Sequence, residues 1–514
     1  MGRLEEWSLM ATSLFGKKKF GTFKFGPTIL KNPRYGLEVD WDGDALFDGS
    51  NEGPNLQELN IDRGRKYTIS AAGDSFEPED TGRFSAVLID EDSRYDPYNV
   101  SSPLFGMLTG GKYFRLRVRT MSDTIYSLIA GKLDEPVSYM DRMMPMARLQ
   151  GSDGWGYLRD QGNQVTVPLQ ENIYAEQAIQ KVLDEANWPQ LWGTDMEVGV
   201  DSRPYFWVDS RSPAQVIHEL AHNELGNVCI TGDGKLKFRS RLSLEEEALL
   251  ITDDDVISVR KMTPSEVVRN VIKVKSEPRS EQSTQTVWEI PARLQVQPGE
   301  TIDDVFAPFT YNNETVPVKN PITPVTTTDF NAKANEDGTG TDYTANFSVS
   351  MYAYSTTAQL SVTNNGGTTA WLYVKVRGNP VTKTSGVSFG YRDTASIKQF
   401  GPRPFNLSID QSVNIARQYR DLLGSYLTAA KNYLVVDLIP EPDVQFAADL
   451  GQIIRARLNN YGIDQAYRVI RINHRFHDTN GIIVRTQWWL EPYIRLFTGV
   501  QLPVQIPFQL GGTS

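Results

Sequence analysis

Apolar and polar residues alternate with period two in short runs that recur along this chain, each closed by Gly, Pro, Asp or Asn; LNIDRGRKYTI, YFRLRVRTM, AYRVIRINHRF and IIVRTQWWLEP are examples. An apolar side chain at every second position suits a strand with one buried face and does not suit a helix. The chain is thereby held to mainly β architecture. Its 514 residues exceed what one hydrophobic core organises and predict roughly three or four domains. With 40% hydrophobic and 22% charged residues it is a folding sequence and not a disordered one.

Residues 1–55 read as an N-terminal arm, with three Phe-Gly steps in LFGKKKFGTFKFGP and a cluster at Lys17, Lys18 and Lys19 expected to be solvated. Residues 56–155 carry alternating runs spaced as in a first β-barrel domain. Residues 156–260 form an α+β segment. One helix is expected near 172–187, where Ala175, Ile179, Val182 and Leu183 share a face. A second is expected with Ser212 as its cap, Pro213 at its first position and Gly226 just past its end, followed by a hairpin turning at Asp233-Gly234. Residues 261–288 are expected to complete a second barrel, and 289–385, rich in Thr, Asn and Gly with a turn at 364–367, an inserted β-sandwich. Residues 386–494 supply the second barrel with a helix over 410–427, and 495–514 an apolar, proline-bearing tail that docks on another chain.

Composition narrows the function classes. The single cysteine, Cys229, excludes an intrachain disulfide framework and multi-cysteine zinc sites, which points to synthesis in a reducing cytoplasm. No run reaches the roughly 18 apolar residues of a membrane span, and MGRLEEWSLMATSLFG lacks the organisation of a secretion signal. A formal net charge of -11 argues against general affinity for nucleic acid, since phosphate neutralisation needs surplus Lys and Arg.

His218-Glu219-Leu220-Ala221-His222 has the spacing of a zinc peptidase, two imidazoles one helical turn apart with a glutamate to activate water. Ile217, Leu220, Ala221 and Leu225 define the apolar face of that helix and leave His218 at its edge, so a helix rim explains the same residues. A third ligand is required, for which Glu245, Glu246 or Glu247 is better placed than His474 or His477. Asp90, Asp92 and Asp96 resemble alternating calcium ligands, but no Gly and terminal Glu complete the loop, and an acidic turn is the expectation. No Ser-His-Asp or Cys-His constellation stands out, since four histidines and one cysteine leave little to build it from.

Four ordered segments resemble a known family. NIDRGR followed by GRFSAVLIDEDSRYDPYNVSSPLFG and GKYFRLRV, then LAHNELGNVCITGDGKLKFRSR, then the insert from TDFNAKANEDG to VKVRGNPV, then DTASIKQFGPRPFNL, are similar to siphophage tail-tip hub proteins, the minor tail proteins of baseplate-hub type. LGQIIRARL, YRVIRINHRF and IIVRTQWWLEP resemble the strands of that family's second barrel, so the likeness runs from about residue 60 to residue 492. It implies a mainly β, multidomain hub with two β-barrel domains, an α+β domain and an inserted β-sandwich. It also implies a homotrimer whose paired barrels make a six-fold-like ring matched to the tail tube. Partners would be the distal tail protein, tail tube, tape-measure protein and tail fibre or tip proteins, with DNA passing through unbound. The expected location is the distal end of the tail in the virion, with host envelope contact. The expectation is a structural protein with no catalytic residue and no cofactor. The alternative is a zinc-dependent peptidase with His218 and His222 as metal ligands and Glu219 as base, and a third reading is carbohydrate recognition by the insert.

Overall fold

The computed structural model describes residues 34–47, 51–65, 79–90, 92–141, 144–160, 162, 164–263, 265–477 and 483–493. The Phe-Gly steps, Lys17 to Lys19 and the 495–514 tail lie outside the described residues. The chain is mainly β: one thirteen-stranded sheet, several smaller sheets and a few helices.

Six strands of the large sheet lie in the order Arg34–Val39, Tyr113–Arg119, Ile125–Leu133, Met144–Asp153, Glu79–Ile89, Leu56–Arg65. Their inward residues, among them Leu37, Ile61, Phe84, Leu116, Ile129 and Leu149, share one buried cluster, so the sheet curls around a core as a barrel does. Of the segment expected to be an arm, residues 34–39 are instead a strand, paired with Leu37 opposite Leu116. Tyr35, Leu37 and Val39 alternate inward there, but a six-residue run is short enough to be missed among turns.

The free edge of Leu56–Arg65 continues the sheet into a second unit. It pairs antiparallel with Ile463–His477, from Glu58 opposite His477 to Gly64 opposite Arg471. Gly64 is needed at the end of this seam: its φ is +110°, and a Cβ there would stand 2.3 Å from the Ile470 carbonyl oxygen. Ile463–His477 spans about 50 Å at the strand rise of about 3.3 Å per residue. One of its edges is occupied by Ile483–Pro492 and the other is divided between Leu56–Arg65 and Ile453–Leu458. Tyr433–Leu438, Val256–Met262 and the parallel strand Glu247–Thr252 complete the second unit around Leu434, Val436, Ile454, Tyr467 and Trp488.

The α+β unit holds three helices, α1 (Gly154–Arg159), α2 (Ala175–Glu185) and α3 (Pro213–Asn223). They pack against the antiparallel pair Val165–Ile173 and Arg203–Arg211 and the hairpin Asn227–Ile230 with Leu236–Arg239. Asp153 caps α1 by accepting the Trp155 N–H at 3.0 Å. Pro213 opens α3 as expected, whereas the Ser212 hydroxyl donates to the Leu158 carbonyl and does not cap. The left-handed residue ending α3 is Leu225, φ 51°, and not Gly226, whose N–H donates to the Ala221 carbonyl at 2.9 Å.

Val271–Ser276 pairs with Val387–Arg392 and Pro404–Ile409, both within the 386–494 range it is expected to join, in a three-stranded sheet separate from the large one. Helix α4 (Thr394–Phe400) precedes the last of these strands, and helix α5 (Val413–Leu427) packs on this three-stranded sheet through Ala416, Tyr419 and Leu423. The insert is a sandwich. Ala370–Lys383 anchors one sheet, and the other is Thr301–Pro308, Thr357–Asn364 and Phe347–Ala353, with Leu360, Val362, Leu372 and Val374 between them.

Arg63 ties three units together, with its guanidinium donating to the Leu128 carbonyl, to the Ile230 carbonyl at 2.9 Å and to Asp449 at 2.9 Å. Arg63→Ala is expected to destabilise the molecule by about 3–5 kcal/mol, the range for removing one partner of a buried ion pair. Arg485→Ala, which breaks an exposed pair with Asp437, should cost less than about 1 kcal/mol. Denaturant unfolding of both variants tests this, and equal shifts would show that Arg63 is not a keystone.

Candidate functional site

Helix α3 places the histidine motif at the junction of the first barrel and the α+β unit. Val216, Ile217, Leu220 and Ala221 are buried, and His218 lies half-buried at the edge of that face. Its ring stacks on Trp155, centroids 4.2 Å apart and planes 22° apart, and its Nε2 is 3.5 Å from the Arg159 guanidinium. Burial first, then the charges of Arg159 and Arg65, push the imidazole down to about 3. The cations that keep His218 neutral would also repel a divalent metal. His222 lies against Phe405, with ring centroids 6.3 Å apart.

Glu219 is exposed, and its carboxylate is held by both terminal nitrogens of Arg211. The proposed third ligands lie elsewhere. Glu245 pairs with Lys237 at 2.6 Å and Arg239 at 3.3 Å, Glu246 is exposed, and Glu247 begins a strand and pairs with Arg455 at 3.3 Å. Among the described residues, the one cluster of three His, Cys, Asp or Glu side chains close enough to share an ion is Asp40, Asp42 and Asp44. Asp40 there accepts the backbone N–H groups of Gly43, Asp44 and Ala45, the ordinary work of a turn aspartate.

His218 and His222 line a cavity of about 230 Å³ together with Arg65, Glu79 and Asn227. Sequence reasoning did not connect Arg65, the last residue of NIDRGR, or Glu79 with the histidines, because both lie far upstream of them. Arg65 donates to Glu491 at 3.1 Å and to Asn227 at 2.9 Å. Glu79 accepts from the Trp155 indole at 2.9 Å and from the Ile230 N–H at 3.3 Å, and burial pushes it up to about 7. Asp153, at the other side of Trp155, is pushed up to about 7 by the same cause. It sits so close to Gly82 that a Cβ there would meet its Oδ2 at 2.3 Å. The arrangement is a buried polar joint between units: two carboxyls pushed toward the protonated form by burial, a stacked neutral imidazole and guanidiniums with partners.

The remaining candidates have structural partners. Asp90 is buried and accepts the Tyr95 N–H, and Asp96 accepts the Tyr98 N–H at 2.9 Å, whereas Asp92 is exposed and its backbone carbonyl accepts from Asn99. His474 lies in the seam between the two barrels, 2.8 Å from the Tyr35 hydroxyl and 2.8 Å from the Thr486 hydroxyl, and burial holds it down to about 3. His477 faces Glu58 at 3.0 Å. Cys229 is buried in the second core, which raises its thiol pKa and makes it unreactive.

No protein-family model and no curated protein matches the chain. Solved structures similar to it include tail and prophage tail proteins. The tail protein from Neisseria meningitidis MC58 has 10% identity and a TM-score of 0.47, covering 89% of this chain and 96% of that one. The 43 kDa tail protein of prophage MuSo2 from Shewanella oneidensis has 10% identity and a TM-score of 0.47, covering 90% and 99%. Prophage tail protein gp18 from Listeria monocytogenes EGD-e has 8% identity and a TM-score of 0.40, covering 89% and 94%. Likenesses this distant carry no assignment of function.

Two outcomes are expected at this joint. After dialysis against metal-free buffer, elemental analysis should find no stoichiometric zinc, in the wild type or in His222→Ala; one equivalent lost in the variant would restore the peptidase. The second outcome concerns pH. Asp153 has a folded pKa above its unfolded value, so its favourable contribution is complete below the unfolded pKa near 4 and is lost as pH rises through about 7. His218 and His474 act in the opposite sense below about 6.5, so a difference between variants isolates the carboxyl. Asp153→Asn, which keeps a capping oxygen, should stabilise the protein by on the order of 2–3 kcal/mol more at pH 8 than at pH 5. A difference independent of pH would contradict the burial argument.

Proposed function

We propose that the chain is a structural hub protein of a phage tail tip, homotrimeric, joining the tail tube and distal tail protein to host-contacting fibres or tip and forming the channel for genome ejection. The observation that carries this reading is the single sheet that runs through both barrel-like units, fixed by residues 58–64 against 471–477. Two rigidly related units per chain are what three copies need in order to meet a tube of six-fold symmetry. The ordered resemblance of four segments to tail-tip hub proteins supports the same reading. An overall charge of -11 suits a bore that lets DNA pass without holding it.

In this reading the chain is made in the host cytoplasm and resides at the distal end of the tail, and it performs no catalysis. Residues 1–33 and 495–514 would reach neighbouring chains, in an assembly that includes the tape-measure protein and fibres. The peptidase alternative gains nothing from an outward-paired Glu219 and a cation-flanked His218.

Immunogold labelling of intact virions with an antibody raised against the purified chain should mark the distal tail end. Gold along the shaft or on the head would overturn the assignment. Light scattering of the purified protein should report three times the 57.8 kDa of one chain, or one chain that trimerises on adding its tube partner.

A further inference from the structure

The outer face of the sandwich's three-stranded sheet differs from an ordinary solvated sheet. Along Thr357–Asn364 the inward residues Ala358, Leu360 and Val362 are buried, so Gln359, Ser361 and Thr363 point outward. In the register across the three strands, Phe306 stands opposite Gln359, and Gln359 opposite Tyr352. Phe306 is 58% exposed, Tyr352 66% and Tyr354 40%. The two tyrosine rings meet edge to face, centroids 4.9 Å apart and planes 69° apart, and form an aromatic corner. Phe306 flanks the same row on the opposite strand, about 10 Å away at two strand spacings. Large aromatic side chains left in water in one row are a departure that asks for a partner.

Polar groups lie between the rings. The Ser361 hydroxyl donates to the Asp303 carboxylate, and the Gln359 amide donates to the Asp303 carbonyl at 2.9 Å. Asp304 is exposed beside them. The three strands, TIDDVFAP, FSVSMYA and TAQLSVTN, contain no lysine or arginine. The face therefore combines aromatic surface, hydroxyl and amide groups that donate and accept, and negative charge alone. Nucleic acid, phosphate-bearing polymers and acidic sugars would meet uncompensated repulsion. A pyranose ring fits: its C–H face stacks on an aromatic ring, and its hydroxyl edge bonds to carboxylate and amide.

The sheet is also held still. At the end of the tyrosine-bearing hairpin, Ser355 donates to the Val167 carbonyl at 3.1 Å and Thr356 to Asp209 at 2.9 Å, docking it on the α+β unit. Lys319 adds a bridge between Glu171 of that unit and Glu281, at 2.8 and 3.0 Å. A platform fixed in this way loses little freedom when it binds.

We infer that the face bearing Phe306, Tyr352 and Tyr354 binds oligosaccharide, of the neutral or amino-sugar class. Nothing in this face depends on where in a tail the chain sits, so its failure and that of the hub reading are distinguishable. The test uses the full-length protein on a glycan array holding chito-, deacetylated chito-, malto-, cello- and galacto-oligosaccharides, with sialylated and glycerol-phosphate-bearing glycans as anionic controls. The expected result is retention on one or more neutral or amino-sugar probes. Tyr352→Ala and Phe306→Ala should each weaken that binding at least about tenfold, with an unchanged unfolding midpoint, since both side chains are exposed. Tyr461→Ala, at an exposed aromatic of the second barrel, should bind as the wild type does. Silence across the neutral and amino-sugar probes, undiminished binding in both variants, or preference for the anionic glycans would overturn the inference. So would a change in the oligomeric mass of Tyr352→Ala, which would mean that a second copy covers the face.

Discussion

The antiparallel pairing of Leu56–Arg65 with Ile463–His477 is the contact on which the rest of the molecule depends. Without it the chain would be two curled sheets joined through an α+β unit, each with its own core and free to turn against the other. The pairing satisfies backbone groups that two exposed edges would otherwise present to water or to other chains. It also brings Asp62 to Arg471, where two hydrogen bonds form, one of 2.8 Å and one of 2.5 Å. Because side chains alternate with period two, a slip of one residue would turn Ile61 and His474 away from the core; the seam has one workable register.

Beside the seam the protein buries charge, which apolar residues could replace with no loss of stability. The groups come from different units: Arg63, Arg65 and Glu79 from the first barrel, Asp449 and Glu491 from the second, and Asn227 and the Ile230 backbone from the α+β hairpin. An apolar contact tolerates sliding because it has no direction, whereas these hydrogen bonds close only when three units are in one relative orientation. Glu79 and Asp153 are driven toward neutrality by the same burial, and Trp155 satisfies both, through its indole N–H and its backbone N–H respectively. In a protein read as part of a larger assembly, fixed orientation between units is worth more than the last increment of stability.

Most strands were legible because their alternation is local and their ends are marked by Gly, Pro and Asp. The Arg34–Val39 strand was not, since three apolar positions in six residues look the same in an arm as in an edge strand. Nor could the sequence reveal that both barrels share a sheet, because nothing within Leu56–Arg65 names a partner some 400 residues away. Helix α5 lies within the 410–427 expected to be helical, but a helical pattern does not say which sheet will cover the helix. The histidine motif shows the same boundary. Its helix and rim position follow from spacing, whereas its chemistry is decided by Trp155, Arg159 and Arg211, which no spacing rule connects to it. Two imidazoles and a glutamate make a metal site only if their surroundings are anionic and open; here one imidazole is stacked on Trp155 with a guanidinium at its ring nitrogen, and the glutamate faces outward.

The position of the insert explains how one frame can carry a binding surface without disturbing the joint. The chain leaves the frame at Ser276 and returns at Val387, and these two residues are direct cross-strand partners in the small sheet. The ladder continues outward through Arg279 opposite Lys383 and Glu281 opposite Val381, so the sandwich grows from a two-stranded stalk. For the frame, the intervening residues are a long loop whose ends are already held together. Lengthening such a loop is entropically mild, because the closure cost rises only with the logarithm of its length. The outer face of the sandwich can therefore vary in its aromatic and acidic residues with no consequence for the seam at residues 58–64. The frame, in contrast, admits little change, since every strand of its two barrels is committed to one register. Division of this kind, between a part fixed by many mutual constraints and a part joined to it by a two-stranded stalk and a few side-chain contacts, is where recognition surfaces are expected to sit.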